Sequence, residues 1–185
     1  MPPADKQDLR DELLQERRAR TSAQIEGARG AVRAHVVAAA ARFGWTCVAG
    51  YVPLRSEPGS VELLEALAAS GATVLVPITL PDRDLDWTRW GQTDPLGVDA
   101  VGRADAVLVP ALAVAADGTR LGRGGGSYDR ALPRVRPGVP IVALLYPEEV
   151  RVELPRETWD VPVTAYVTPD GWTSIDPTPI GLRNT

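Results

Sequence analysis

Two neighbouring stretches decide the fold: Ala106-Val-Leu-Val-Pro-Ala-Leu112, and then Asp117-Gly-Thr-Arg-Leu-Gly-Arg-Gly-Gly-Gly-Ser-Tyr-Asp-Arg130. The first is apolar almost without a break. A strand reads this way when both of its faces are covered, because successive side chains point to opposite sides of the sheet. The second is a glycine-rich loop that follows the strand and leads into a helical stretch at Tyr128–Val135. Gly122, Gly124, Gly125 and Gly126 let backbone amides approach an anion without Cβ clashes. The start of the next helix points its positive end at the same place. Arg120 and Arg123 flank the loop, and each offers charge-assisted bonds to phosphate of roughly 1.5–3 kcal/mol. Asp129 is spaced to hold a Mg²⁺ bridging phosphates, and Tyr128 offers a flat stacking surface. The plain alternative for such a glycine cluster is a flexible surface turn.

Four further runs share the character of 106–112: Cys47–Leu54, Thr73–Thr79, Ile141–Tyr146 and Val163–Thr168. Helical stretches at Ser60–Ser70 and Leu96–Arg103 alternate with them. Asp5 to about Arg20 reads as a helix through Leu9, Leu13 and Leu14. Thr21 and Gln24 have capping-box spacing and open a second helix that runs to Phe43 before Gly44. Strands alternating with helices specify an α/β class: a three-layer α/β/α domain with a mostly parallel sheet. Ligands of such sheets collect at the carboxyl ends of strands. The loops after Leu54, Thr79 and Leu112 are therefore the expected site. One domain is expected over 1–185, with amino-terminal helices in 1–43, the sheet and glycine loop in 44–170, and a tail in 171–185.

Composition narrows the chemistry. The 185 residues carry a net charge of −4, which excludes a basic nucleic-acid or anionic-membrane surface. Gly and Pro, 17 each, exceed the usual combined ~12% and mean many turns. The cations are almost all arginine; Lys6 is the single lysine, His35 the single histidine and Cys47 the single cysteine. No intramolecular disulfide can form, which suits a reducing cytoplasm. No zinc site of Cys and His can be assembled. Any Ser-His-Asp chemistry would depend on His35, and any Schiff base on Lys6. A metal would have to be held by oxygen, which points to Mg²⁺. No signal core or membrane-spanning run is visible. His35 reads as a structural or surface residue, and Cys47, Trp159 and Trp172 read as packing residues.

Two familiar glycine motifs do not apply. A Walker A loop needs Gly-Lys-Ser/Thr, and the loop has no lysine. A dinucleotide fingerprint follows the first strand and has an acid about 20 residues on. Instead, Ala104–Val114 together with Arg120-Leu-Gly-Arg-Gly-Gly-Gly-Ser-Tyr-Asp-Arg-Ala-Leu132 resembles the signature of the 5-formyltetrahydrofolate cyclo-ligase family. Lys6-x-x-Leu9-Arg10 resembles that family's amino-terminal nucleotide contacts. Tyr51-Val-Pro-Leu-Arg-Ser-Glu57 resembles its substrate-binding strand end. Leu144–Thr168, with Leu154-Pro155 and Asp160, resembles its carboxyl-terminal segment. The likeness spans about residues 5–170 and implies a fold like the NagB/RpiA/CoA-transferase group.

The resemblance implies ATP contacts at Lys6, Gln7, Asp8, Leu9 and Arg10, and at Arg120, Leu121, Gly122, Arg123, Gly124, Gly125, Gly126, Ser127 and Tyr128. It implies folate contacts at Val52 and Glu57, with Arg123–Ser127 between folate and phosphates. It implies Mg²⁺ ligands at Asp129 and Asp160, and catalytic roles for Lys6, Arg123 and Asp129. Lys6 and Arg10 are four apart, hence on one helix face. The implied reaction is ATP-dependent closure of 5-formyltetrahydrofolate to 5,10-methenyltetrahydrofolate, releasing ADP and phosphate. It proceeds through a phosphorylated formyl group and needs no protein nucleophile, so a chain with one His and one Cys suffices. A monomer acting on small molecules is the expected working form. Two departures concern the folate side. Ser127 stands where the family commonly has Tyr or Phe, and Trp90–Leu96 is shorter than the family loop. Trp87 and Trp90 are candidate compensating rings. The alternative is a non-catalytic ATP- or folate-binding regulator; a sugar-phosphate enzyme on the same fold is a third possibility.

Overall fold

A computed structural model of the chain describes residues 6–175; the expected helix start at Asp5 and the end of the expected tail lie outside them. Helix α1 spans Lys6–Arg18 and α2 spans Ser22–Phe43. The Thr21 capping box is formed: the Thr21 side chain accepts from Gln24 N, and the Gln24 side chain accepts from Thr21 N at 2.8 Å. Gly44 ends α2 in the left-handed conformation (φ 66°). Strand β1 (Cys47–Ala49) leads through a loop to α3 (Val61–Ala69), whose N-cap is Ser60. Then come β2 (Thr73–Thr79), β3 (Leu85–Arg89), a 3₁₀ helix at Val98–Arg103 and β4 (Ala106–Pro110). β5 (Ala113–Ala115), β6 (Arg120–Leu121) and α4 (Ser127–Ala131) follow. β7 (Ile141–Leu144), β8 (Val150–Arg151), β9 (Ala165–Thr168) and β10 (Gly171–Ser174) complete the chain.

Seven strands form one sheet in the order β10-β9-β7-β4-β1-β2-β3. The five inner strands are parallel, and each edge is closed by an antiparallel strand, β3 on β2 and β10 on β9. The expectation of a mostly parallel sheet holds. The two edge strands were not foreseen: Leu85–Arg89 and Gly171–Ser174 are too mixed in character to read as buried strands. Gly171–Ser174, placed in the tail by the sequence reading, pairs with β9.

The apolar runs alternate between two cores. Ala106 and Leu108 of β4 face α2 and α3 with Val32, Val36, Leu63 and Leu67. Val107 and Val109 face the opposite layer with Ala100, Val101, Ala131 and Leu132. That second layer consists of α4 and short 3₁₀ turns rather than long helices. A separate three-stranded sheet, β6-β5-β8, carries α1. Leu13 of α1 is buried there with Leu112, Ala113 and Leu121. No helix among the described residues is long and apolar enough to cross a membrane.

Candidate functional site

The chain leaves the sheet centre at β1, runs outward to β2 and β3, and returns to β4 on the other side of β1. Loops after strands on either side of such a reversal diverge and leave a crevice at the carboxyl ends. A cavity of about 460 Å³ lies there. Glu57 reaches it from the loop after β1, Thr79 from the end of β2, and Pro110–Leu112 from the end of β4. The glycine loop forms one wall, α1 adds Lys6 and Arg10, and the segment before β9 adds Glu157, Trp159 and Asp160. Residues from 6 to 160 thus meet in one place.

The glycine loop is shaped by backbone and arginines together. Gly124 and Gly126 have φ of 96° and 71°, a region other residues rarely adopt. Arg10 donates from Nε to Gly122 O at 2.9 Å, tying α1 to the loop. Arg120 is a clamp: it donates to Pro110 O at 3.4 Å and to Asp129 Oδ1 at 3.0 Å, and its side chain is 6% exposed. Arg123 is half-exposed and reaches Glu57 Oε1 at 3.4 Å. The helix after the loop is only five residues long, so its dipole is a minor source of positive charge. The arginines and the loop amides carry the anion-binding potential instead.

At one end of the cavity Lys6 Nζ donates to Asp160 Oδ2 at 3.0 Å and lies 3.7 Å from Glu157. Burial opposes the charge of Asp160. The Glu157 amide and Lys6 outweigh it and hold the carboxyl below its ordinary value. Asp129 Oδ1 also accepts from Val161 N at 3.2 Å. At the other end Glu57 is buried, its Oε2 accepting from Leu54 N at 2.8 Å. The Tyr128 hydroxyl is buried without a hydrogen-bond partner, and burial pushes its pKa up, so it stays a neutral donor.

Most expected residues converge on this cavity: Lys6, Arg10, Glu57, Arg120 through Asp129, and Asp160. Gln7, Asp8, Leu9 and Val52 are not part of its wall. Gln7 donates to Asp11 on the outer face of α1. Leu9 packs under α1, and Val52 is exposed elsewhere. Trp87 is no pterin-facing ring: it is fully buried in the core, and Trp90 packs on the opposite core. Trp159, expected to be packing, is 68% exposed on the cavity rim; its place beside Asp160 was the available signal. Trp172 does pack, with Phe43 and Trp45, and His35 bonds Pro169 O at 3.1 Å. Among the described residues no group of three or more His, Cys, Asp or Glu is gathered to hold a metal. Of the four carboxylates that line the cavity, Asp129 and Asp160 are the pair expected on the metal, and oxygen ligands completed by phosphate are the donor set Mg²⁺ takes.

The profile of the 5-formyltetrahydrofolate cyclo-ligase family matches residues 2–169. A protein of Mycolicibacterium smegmatis named 5-formyltetrahydrofolate cyclo-ligase is 37% identical, covering 91% of this chain and 96% of its own. The fold is similar to that of a 5,10-methenyltetrahydrofolate synthetase from Mycoplasma pneumoniae (TM-score 0.78, 23% identity, 89% of this chain and 99% of that one). It is also similar to the synthetase of Aquifex aeolicus (TM-score 0.72, 23% identity, 92% of each chain).

Proposed function

Because this chain belongs to the 5-formyltetrahydrofolate cyclo-ligase family, we propose that it closes 5-formyltetrahydrofolate to 5,10-methenyltetrahydrofolate at the expense of ATP. The observation that carries this reading is the cavity at the strand carboxyl ends. Its walls bring Lys6, Arg123, Asp129 and Asp160 together with the buried acceptor Glu57.

The chemistry asks for positioning and charge more than for a nucleophile. The formyl oxygen attacks the γ-phosphorus of ATP, a P–O bond forms, and the bond to ADP breaks. The carbon then carries a phosphate leaving group. The substrate's N10 attacks it, a C–N bond forms, phosphate departs with the C–O electron pair, and N10 gives up its proton. Lys6, Arg10, Arg123 and the amides of Gly122–Ser127 would hold the polyphosphate. Asp129 and Asp160 would hold Mg²⁺, which neutralises phosphate charge when bound. Glu57 would accept hydrogen bonds from pterin N–H groups, and Arg123, the loop residue that reaches Glu57, would sit between the two substrates.

The test is direct. Purified protein with 5-formyltetrahydrofolate and MgATP should develop the near-UV absorbance of the methenyl product, while an ATP-free control should not. Nucleotide binding without ATP-dependent product would defeat the reading.

A further inference from the structure

The loop that carries Glu57 is held by an arginine frame. Arg29 donates to the carbonyls of Leu54 (3.2 Å), Arg55 (3.0 Å) and Glu57 (3.2 Å). Tyr146 donates from its hydroxyl to Ser56 O at 3.0 Å. Beneath the carboxylate itself lies Arg17, 1% exposed. Its Nε and Nη2 grip Glu149 at 2.6 and 2.8 Å, and Nη2 also donates to Ala111 O at 2.6 Å. The third nitrogen, Nη1, is buried, has no hydrogen-bond partner, and lies 3.9 Å from Glu57 Oε1. A buried donor left without an acceptor is costly, so its orientation toward a carboxylate on the cavity wall calls for a reason.

We propose that Arg17 is a positioning residue: from behind the cavity wall it holds the Glu57 carboxylate aimed at the pterin-binding end. Glu149 fixes the guanidinium and balances its charge. Arg123 is the exchangeable partner of the same Glu57 oxygen. When Arg123 turns to the phosphates, Arg17 is the cation that stays. Burial works against the Arg17 charge, and the hydrogen-bonded Glu149 outweighs it, keeping the guanidinium protonated. The role rests on the reading of Glu57 as the folate acceptor, and the experiment separates the two.

Arg17→Met combined with Glu149→Gln removes the buried charges while leaving Tyr146 N, now bonded to Glu149 at 2.9 Å, an acceptor. The KM for 5-formyltetrahydrofolate should rise roughly tenfold, the size of one charge-assisted bond, with the KM for ATP unchanged. Glu57→Gln should raise the folate KM by itself, and in the double-variant background should add little further, because the two act through one carboxylate. An unchanged folate KM in Glu57→Gln removes the acceptor reading. A raised KM in Glu57→Gln beside an unchanged one in the double variant overturns the role of Arg17 alone. Equal rises in both KM values also overturn it, as general damage to the fold. Should the double variant not fold, Arg17→Lys, which keeps a charge but withdraws the fork, is read by the same KM split.

Discussion

The two ends of the cavity are built on opposite principles. At the Lys6 end the ion pairs are partly solvated: Lys6 is 19% and Glu157 49% exposed by side chain. There the cation expected on phosphate and the carboxylate expected on the metal hold each other. At the Glu57 end, Arg17, Glu149 and Glu57 are 1%, 2% and 5% exposed. A pair open to water is worth at most about 1 kcal/mol and opens easily. A buried pair costs about 3–5 kcal/mol to break from one side. On the proposed reading, one end would trade partners as phosphates and Mg²⁺ bind, and the other would present a fixed acceptor to a flat heterocycle.

The largest expected effect tests that contrast in stability. Arg17→Ala strands Glu149 and should cost about 3–5 kcal/mol, a fall in Tm on the order of 10 °C by calorimetry for a chain of this size. Lys6→Ala should cost no more than about 1 kcal/mol. Equal losses would erase the distinction between the ends. Next, Asp129→Asn should lower kcat roughly 100-fold, as removal of a group stabilising transferred charge does elsewhere, and should raise the Mg²⁺ needed for half-maximal rate. Wild-type turnover would take Asp129 out of the exchangeable end.

A smaller effect sharpens the role of the lone lysine. Lys6→Arg keeps the charge but replaces a compact ammonium with a planar fork. The ATP KM should rise by the equivalent of roughly 1 kcal/mol, one ordinary hydrogen bond, with the folate KM unmoved. The smallest effect is in pH. The Asp160 carboxyl is held below its ordinary value of 3.8, so its contribution is complete above that value and is lost as pH falls through the lower folded value. The Tm difference between wild type and Asp160→Asn should be constant above about pH 5 and shrink below about pH 4. A difference that persists at the lowest pH would mean that the pair with Lys6 is not what Asp160 contributes.

Much of this was legible along the chain. Ala106–Leu112 announced a strand buried on both faces, and Val107 and Leu108 do lie in different cores. Thr21 and Gln24 announced their helix start, and the glycines of 122–126 their loop. The residues that were misread share a cause. Trp87 and Trp159 are the same residue type in similarly mixed surroundings, yet one is fully buried and the other 68% exposed. Local pattern does not distinguish them, because burial is set by which strand pairs beside them. Arg17 carries no sequence signal that sets it apart from the other arginines; only the docking of α1 on the small sheet turns it inward.

The sequence alone therefore determined the class of fold, the strand-then-glycine-loop unit and the type of chemistry a chain with one Lys, one His and one Cys can support. These follow from periodicity, backbone freedom and side-chain inventory, all local properties. The tertiary structure decided which charges far apart in the chain face each other: Lys6 with Asp160, Arg17 with Glu149, and Arg123 with Glu57. It also decided which of those pairs meet water. Coulomb energy depends on distance and on surrounding dielectric, and neither exists until the strands are ordered and α1 is laid against them.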